Sequence, residues 1–245
     1  MKKLLLIALV FAAGTAAASN IGGFGMNVLM GDDVRPEYAA RGKVYVEAVR
    51  GADYSIRLTN PMPYRVAVAL SVDGLNTIDA KHTSPWNASK WILEPYESTV
   101  IAGWQVNDQT ARRFFFTGEN RSYGAYLGQT ENLGIIEAVF YRERRPKLQA
   151  QSPRIEEKSR DAAPSAAAGS AAPSDDYAAT GMGGRTTHEV EMVDIDLESS
   201  PAARVTIRYE FHPQLVRLDV LPRLDTPLDR RERARGFGSY CPEPR

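Results

Sequence analysis

The chain of 245 residues has a single cysteine, Cys241, so no disulfide can form within it. Its stability has to come from packing, and Cys241 is left as an inert thiol or a link between two chains. Charge of one sign is also lacking. Thirty Lys and Arg stand against thirty Asp and Glu, which gives no bulk attraction to nucleic acid or acidic lipid. Nucleic acid is therefore not an expected partner. Long hydrophobic runs are missing too. The longest, Leu4 to Ala13, falls well short of the roughly 20 residues that cross a bilayer, so no membrane span is expected in the mature chain. Reaction motifs are absent: there is no G-x-S-x-G elbow, His-Glu-x-x-His pair, Walker loop or Cys pair. The three histidines, His82, His188 and His212, are scattered, which argues against zinc. Nothing in the sequence raises a Ser-His-Asp triad above background.

What is present begins with an export signal. Lys2 and Lys3 precede the apolar run, and Thr15-Ala16-Ala17-Ala18 supplies the small residues of a cleavage site, with the cut expected after Ala18. No cysteine stands directly after the cut, which argues against a lipid anchor. A two-lysine, Ala-rich leader points to a bacterial periplasmic or secreted protein. Losing Lys2 and Lys3 leaves 28 basic against 30 acidic residues, a net charge of −2.

Period-two alternation then dominates. Residues 65–72, RVAVALSV, place Val66, Val68, Leu70 and Val72 on one face, with Ala67, Ala69 and Ser71 on the other. Similar runs occupy 43–49, 54–59, 90–93, 98–104, 113–117 and 134–142, and 24–30 reads as an edge strand. Turn residues separate them, among them Gly51, Pro61, Pro63 and Pro95. Strands this frequent predict an all-β protein, an antiparallel β-sandwich of jelly-roll type. One short helix is expected inside the block, at 107–113.

From residue 143 charge and then Ala, Pro and Ser take over, a composition too poor in apolar surface to offset its ordering entropy. A long disordered excursion over 143–184 is the expectation, with the glycines at 181–184 read as a flexible hinge. Alternation returns at 190–197 and 204–211. Two strands alone are marginal in water, so the hairpin 190–211 should dock on the 43–142 block. The expected layout is a signal peptide at 1–18, one sandwich domain at 19–222 and a tail at 223–245. Thr226-Pro227-Leu228-Asp229 in that tail has the cap, proline and acid of a short C-terminal helix.

The strings RVAVALSVDGLNTIDAK, ILEPYESTVIAGWQV and the late RVTIRYEF resemble a set of exported bacterial proteins whose activity is not known. The resemblance covers 43–142 and about 185–222, with SVDGLN its most distinctive part. It implies that the two blocks belong together, and it carries no activity to any residue.

Two constellations are candidate sites. Asp73, Asn76 and Asp79 offer hard oxygens within seven residues, a set that a turn could converge on calcium. Asp-Gly and Asn are equally turn formers whose side chains bind nearby backbone, so no cofactor is expected unless calcium is. The second is aromatic. Trp86 and Trp91, with Tyr123, Tyr126, Gln129 and Asn132 from the long loop 118–133, have the residue types that stack on sugar rings and read hydroxyls. Trp104, alternating with Val100 and Ala102, is expected to be buried. For glycoside hydrolysis two acids must face each other, and nothing pairs any two of Glu47, Glu94, Glu97 and Glu137. The functional expectation is a non-catalytic binding or cell-envelope interaction protein. Its partner would be a glycan or an envelope protein; the alternatives are a glycan-acting hydrolase and a carbohydrate-binding module.

Overall fold

The computed structural model describes residues 20–144, 173–223 and 231–232. The signal at 1–18, most of the expected excursion, Cys241 and all but Arg231 and Glu232 of the C-terminal helix lie outside the described residues.

Two sheets face each other, as the alternation predicts for an all-β sandwich. The first contains β1 (Asn20–Ile21), β2 (Phe24–Met30), β3 (Asp33–Val34), β6 (Asp53–Thr59), β10 (Ser98–Ile101), β11 (Gly103–Asn107), β12 (Thr110–Gly118) and β14 (Ala178–Thr187). The second contains β4 (Glu37–Ala40), β5 (Lys43–Ala48), β7 (Val66–Val72), β8 (Leu75–Asn76), β9 (Trp91–Leu93), β13 (Ile135–Arg142) and β15 (Ala203–Phe211). Two short α-helices, α1 (Tyr123–Tyr126) and α2 (His212–Arg217), and a 3-10 turn at Glu119–Arg121 are the other elements described. No helix among the described residues is long and apolar enough to cross a membrane.

The core follows from strand parity. Phe24, Met26 and Val28 of β2 and Tyr54, Ile56 and Leu58 of β6 bury one face of the first sheet. Val66, Val68 and Leu70 of β7 and Val205, Ile207 and Tyr209 of β15 bury the facing side of the second. β15 is the central addition. It runs antiparallel to β13 through Ile136↔Ile207 and parallel to β5 through Tyr209↔Val46. That parallel pair is an exception to the expected antiparallel order. It is accessible because most of the chain separates β5 from β15, far more than the dozen residues a parallel crossover requires.

Three local expectations are corrected. Residues 190–197 do not form the first strand of a hairpin; their one β-bridge among the described residues is Leu197↔Glu143, Val190 packs against the core, and Met192 and Val193 are exposed. The second strand of the late block is instead β14, which contains the glycines expected to be a hinge. It pairs with β12 from Thr110↔Thr187 to Gly118↔Ala178. β14 carries little apolar alternation because the Phe115 ring lies over Gly181 and beside Gly183, taking the space of a side chain. Residues 107–113 are not helical. Asp108 and Gln109 turn the chain between β11 and β12, with the Asn107 carbonyl oxygen Oδ1 accepting from Gln109 N at 3.0 Å, as turn-forming Asn commonly does.

Close approach at Gly103 gives a direct test. A Cβ there would overlap the main-chain carbonyl of Arg112, whereas at Gly181 it would meet only the Phe115 ring. Gly103→Ala should cost about 1–3 kcal/mol, the usual range for overpacking, and Gly181→Ala less, because a half-buried ring can swing aside. Equal melting temperatures for the two variants would contradict this packing.

Candidate functional site

The hairpin β7–β8 turns on Asp73 and Gly74, both at positive φ (53° and 76°). Two left-handed residues in a two-residue loop match the twist of the flanking strands, and Gly adopts that conformation without steric cost. The Asp73 side chain points inward and is 2% exposed. Its Oδ1 accepts from Gly134 N at 2.8 Å and from the Tyr209 hydroxyl at 2.5 Å. Its Oδ2 accepts from Thr180 N at 2.7 Å. Asn76 accepts from Ile78 N and donates to the Ser89 carbonyl, both at 2.8 Å. Asp79 accepts from Lys81 N and the Ser89 hydroxyl, both at 3.1 Å. The three expected calcium ligands are thus bound by different protein groups, and they line three separate clefts. Among the described residues no group of three or more His, Cys, Asp or Glu is placed to hold a metal ion.

Asp73 instead ends a buried polar chain. The Tyr54 hydroxyl lies 2.7 Å from Thr180 Oγ1, which lies 2.7 Å from the Tyr209 hydroxyl, which donates to Asp73. Tyr54 and Thr180 belong to the first sheet, Tyr209 and Asp73 to the second, so the chain spans the sandwich. Burial pushes the Asp73 carboxyl up to about 7, outweighing the hydrogen bonds from Tyr209, Thr180 and Gly134 that favour its charged form. Burial, reinforced by the nearby Asp73 charge, also raises both phenols well above their ordinary range. Sequence reading missed this network because Tyr54 and Tyr209 fit an apolar alternation. The available signal was the choice of Tyr over Phe at inward positions, since a buried phenol seeks a partner.

The six expected sugar-binding residues do not form one site. Trp91 is buried, its Nε1 donating to Thr77 Oγ1 at 2.9 Å and its ring 5.3 Å from that of His188. Trp86 is exposed on the outer side of the second sheet. It meets Tyr141 edge-on at 5.4 Å, with the Lys90 ammonium 5.6 Å from its ring centre. Gln129 and Asn132 line a cleft beside His82. Gln129 N also donates to the Gly124 carbonyl of α1 at 2.8 Å, but the Tyr123 and Tyr126 rings turn to a different cleft, at one end of the sandwich.

That end holds a cleft of about 480 Å³. Ser122 caps α1, its Oγ accepting from Ala125 N at 3.0 Å and donating to the Glu119 carbonyl at 2.7 Å. The cap fixes Tyr123 against Trp104, ring centres 5.0 Å apart, and Tyr126 nearly parallel to Tyr123 at 6.2 Å and 15°. Trp104 itself is buried, as its alternation predicts, and donates to the Gly181 carbonyl. Register places Trp104 opposite Arg112, and Arg112 opposite Arg185, one row across β11, β12 and β14. Arg112 has the inward parity of Phe114 and Phe116, but at the strand end where the core gives way to the cleft. Across from the row lie Thr77, Ile78, Asp79 and Ala80. Among the described residues neither the Arg112 nor the Arg185 side chain has a hydrogen-bond or ion-pair partner. Sequence reading passed over both arginines, although a charged residue at an inward strand position is the kind of exception that marks a site.

No family model matches the chain, and no match was found among curated proteins or among solved structures.

Proposed function

We propose that the protein is an exported, non-catalytic binding protein of the bacterial envelope that takes a glycan at the open end of its sandwich. The observation that carries this reading is the Tyr123–Tyr126 pair. Tyr126 is 84% exposed, yet it stands on a capped helical turn beside a cleft that could admit a short saccharide. Rings held rigid at a surface stack on apolar sugar faces at little entropic cost. The leader at 1–18 supplies the envelope destination. The binding reading is preferred to hydrolysis because Asp79 is the one acid among the residues lining this cleft. Its oxygens already accept from Lys81 N and Ser89, whereas most glycoside hydrolases need two free carboxyl groups across the bond.

Titration calorimetry against peptidoglycan fragments and a panel of oligosaccharides tests it. Tyr126→Ala should weaken binding about tenfold, the loss expected for one stacking ring at about 1.4 kcal/mol per decade. Its melting temperature should stay unchanged, because so exposed a ring contributes little to the core. Undiminished affinity in Tyr126→Ala, or turnover of a bound glycan, would overturn the proposal.

A further inference from the structure

Resting on the reading of this end as the binding site, we infer that the ligand is an acidic glycan, whose carboxylate or phosphate group is gripped by Arg112 and Arg185. The two arginines are direct cross-strand partners on β12 and β14. Like charges placed directly opposite each other destabilise a strand pair, and here no acid among the described residues sits within ion-pair reach of either. Arg112 is half-buried at the foot of the cleft and Arg185 exposed at its rim, so an entering anion would meet one guanidinium partly desolvated and the other in water. Each guanidinium presents a planar fork of N–H donors that matches two oxygens of a carboxylate or phosphate.

The surroundings fit a sugar that bears the anion. Tyr123 and Met182 line the same cleft and offer apolar surface. Gln105 is fixed below by three polar contacts: its amide donates to the carbonyls of Asn107 and His188, and its oxygen lies 2.7 Å from His188 Nδ1. The acid on the far lip, Asp79, is 3.5 Å from the Lys81 ammonium, which offsets its repulsion of an anion. A neutral sugar would leave both arginines unpaired; an acidic one would satisfy them and remove their mutual repulsion.

The test compares three probes on the mature protein by titration calorimetry at low salt: oligogalacturonate, its fully methyl-esterified form, and mannose 6-phosphate. The wild type should bind at least one of the two anionic probes ten- to a hundredfold more tightly than the ester, with the gap shrinking as salt rises. Which anionic probe binds better separates carboxylate from phosphate as the source. Arg112→Gln/Arg185→Gln should abolish the preference while melting no lower than the wild type, because a repulsive pair has been removed. Equal affinity for acid and ester, a preference that survives in the double variant, or no binding of either anionic probe at millimolar concentration would overturn the inference. Acid and ester bound equally, and both weakened by Tyr126→Ala, would overturn the anion grip while leaving glycan binding at this end intact.

Discussion

Asp73→Ala should destabilise the protein by about 4 kcal/mol, enough to consume much of the net stability of an ordinary domain. The substitution removes the acceptor for Gly134 N, Thr180 N and the Tyr209 hydroxyl, and each buried donor left without a partner costs about 1–3 kcal/mol. Asp73→Asn should also destabilise, since its amide would set a donor against a donor at one of these contacts. The two variants should differ from the wild type in pH dependence as well. The folded-state carboxyl titrates at about 7, above the ordinary value of 3.8. Between those values the folded protein holds a proton that the unfolded chain releases, so its stability falls as pH rises through that window and levels off above it. The stabilisation from protonated Asp73 is fully present only below the unfolded-state value of 3.8. Glu210, also raised by burial, to about 6, adds a smaller slope of the same sign, and it remains in both variants. His188, whose pKa burial lowers, works the other way below its ordinary pKa. Denaturant titrations from pH 4 to pH 8 on the wild type and Asp73→Asn isolate the Asp73 part. Parallel stability curves would show that Asp73 does not hold its proton in the fold.

A chain ending at residue 144 should fail to fold, whereas one cut between residues 145 and 172 should stay in one piece. Truncation removes β14 and β15 together. Without β15 the second sheet loses the strand that joins β5 to β13, and its buried Val205, Ile207, Tyr209 and Phe211 vanish from the core. Burying each such side chain is worth about 1.5–3 kcal/mol, and four of them together match a domain's whole stability of about 5–15 kcal/mol. Cleavage alone leaves the β12–β14, β13–β15 and β5–β15 pairings in place. A protease site inserted near residue 160, followed by native size-exclusion chromatography, reads the outcome. Separate elution of the C-terminal fragment, with the remainder keeping its melting temperature, would refute it.

Strands with strict alternation were legible because burial on one face dictates period two. β6 and β15 show it along their length, while β7 and β13 also bury Ala69, Val139 and Tyr141 on the other face. β14 was not legible, because its role is to let a neighbouring ring close over bare backbone, and the glycines that permit this read as flexibility. Residues 190–197 failed in the opposite sense. They alternate, but no strand lies beside them beyond the bridge at Leu197, and alternation describes a face without naming the partner that covers it. The site was legible in part. Tyr123 and Tyr126 stood out as aromatics in a long loop. Arg112 and Arg185 lie more than seventy residues apart in sequence, and only sheet register brings them together. Asp73 was noticed for its oxygens, but which way they point is decided by the left-handed turn that carries it.

The buried hydroxyls from Tyr54 to Tyr209 give the sandwich a sense of direction. When Asp73 is ionised it can only accept, so Tyr209 donates to it, Thr180 to Tyr209 and Tyr54 to Thr180. When Asp73 carries its proton it can donate to Tyr209, and every hydroxyl behind it can rotate and reverse. Tyr54 then becomes the acceptor at the far end of the row. No nucleus heavier than hydrogen has to move. Neither phenol gives up its proton, since both are held well above the ordinary phenolic range, so the row transmits orientation and not charge. The protonation of a turn on one sheet is thereby recorded as the bearing of a single O–H bond on the other.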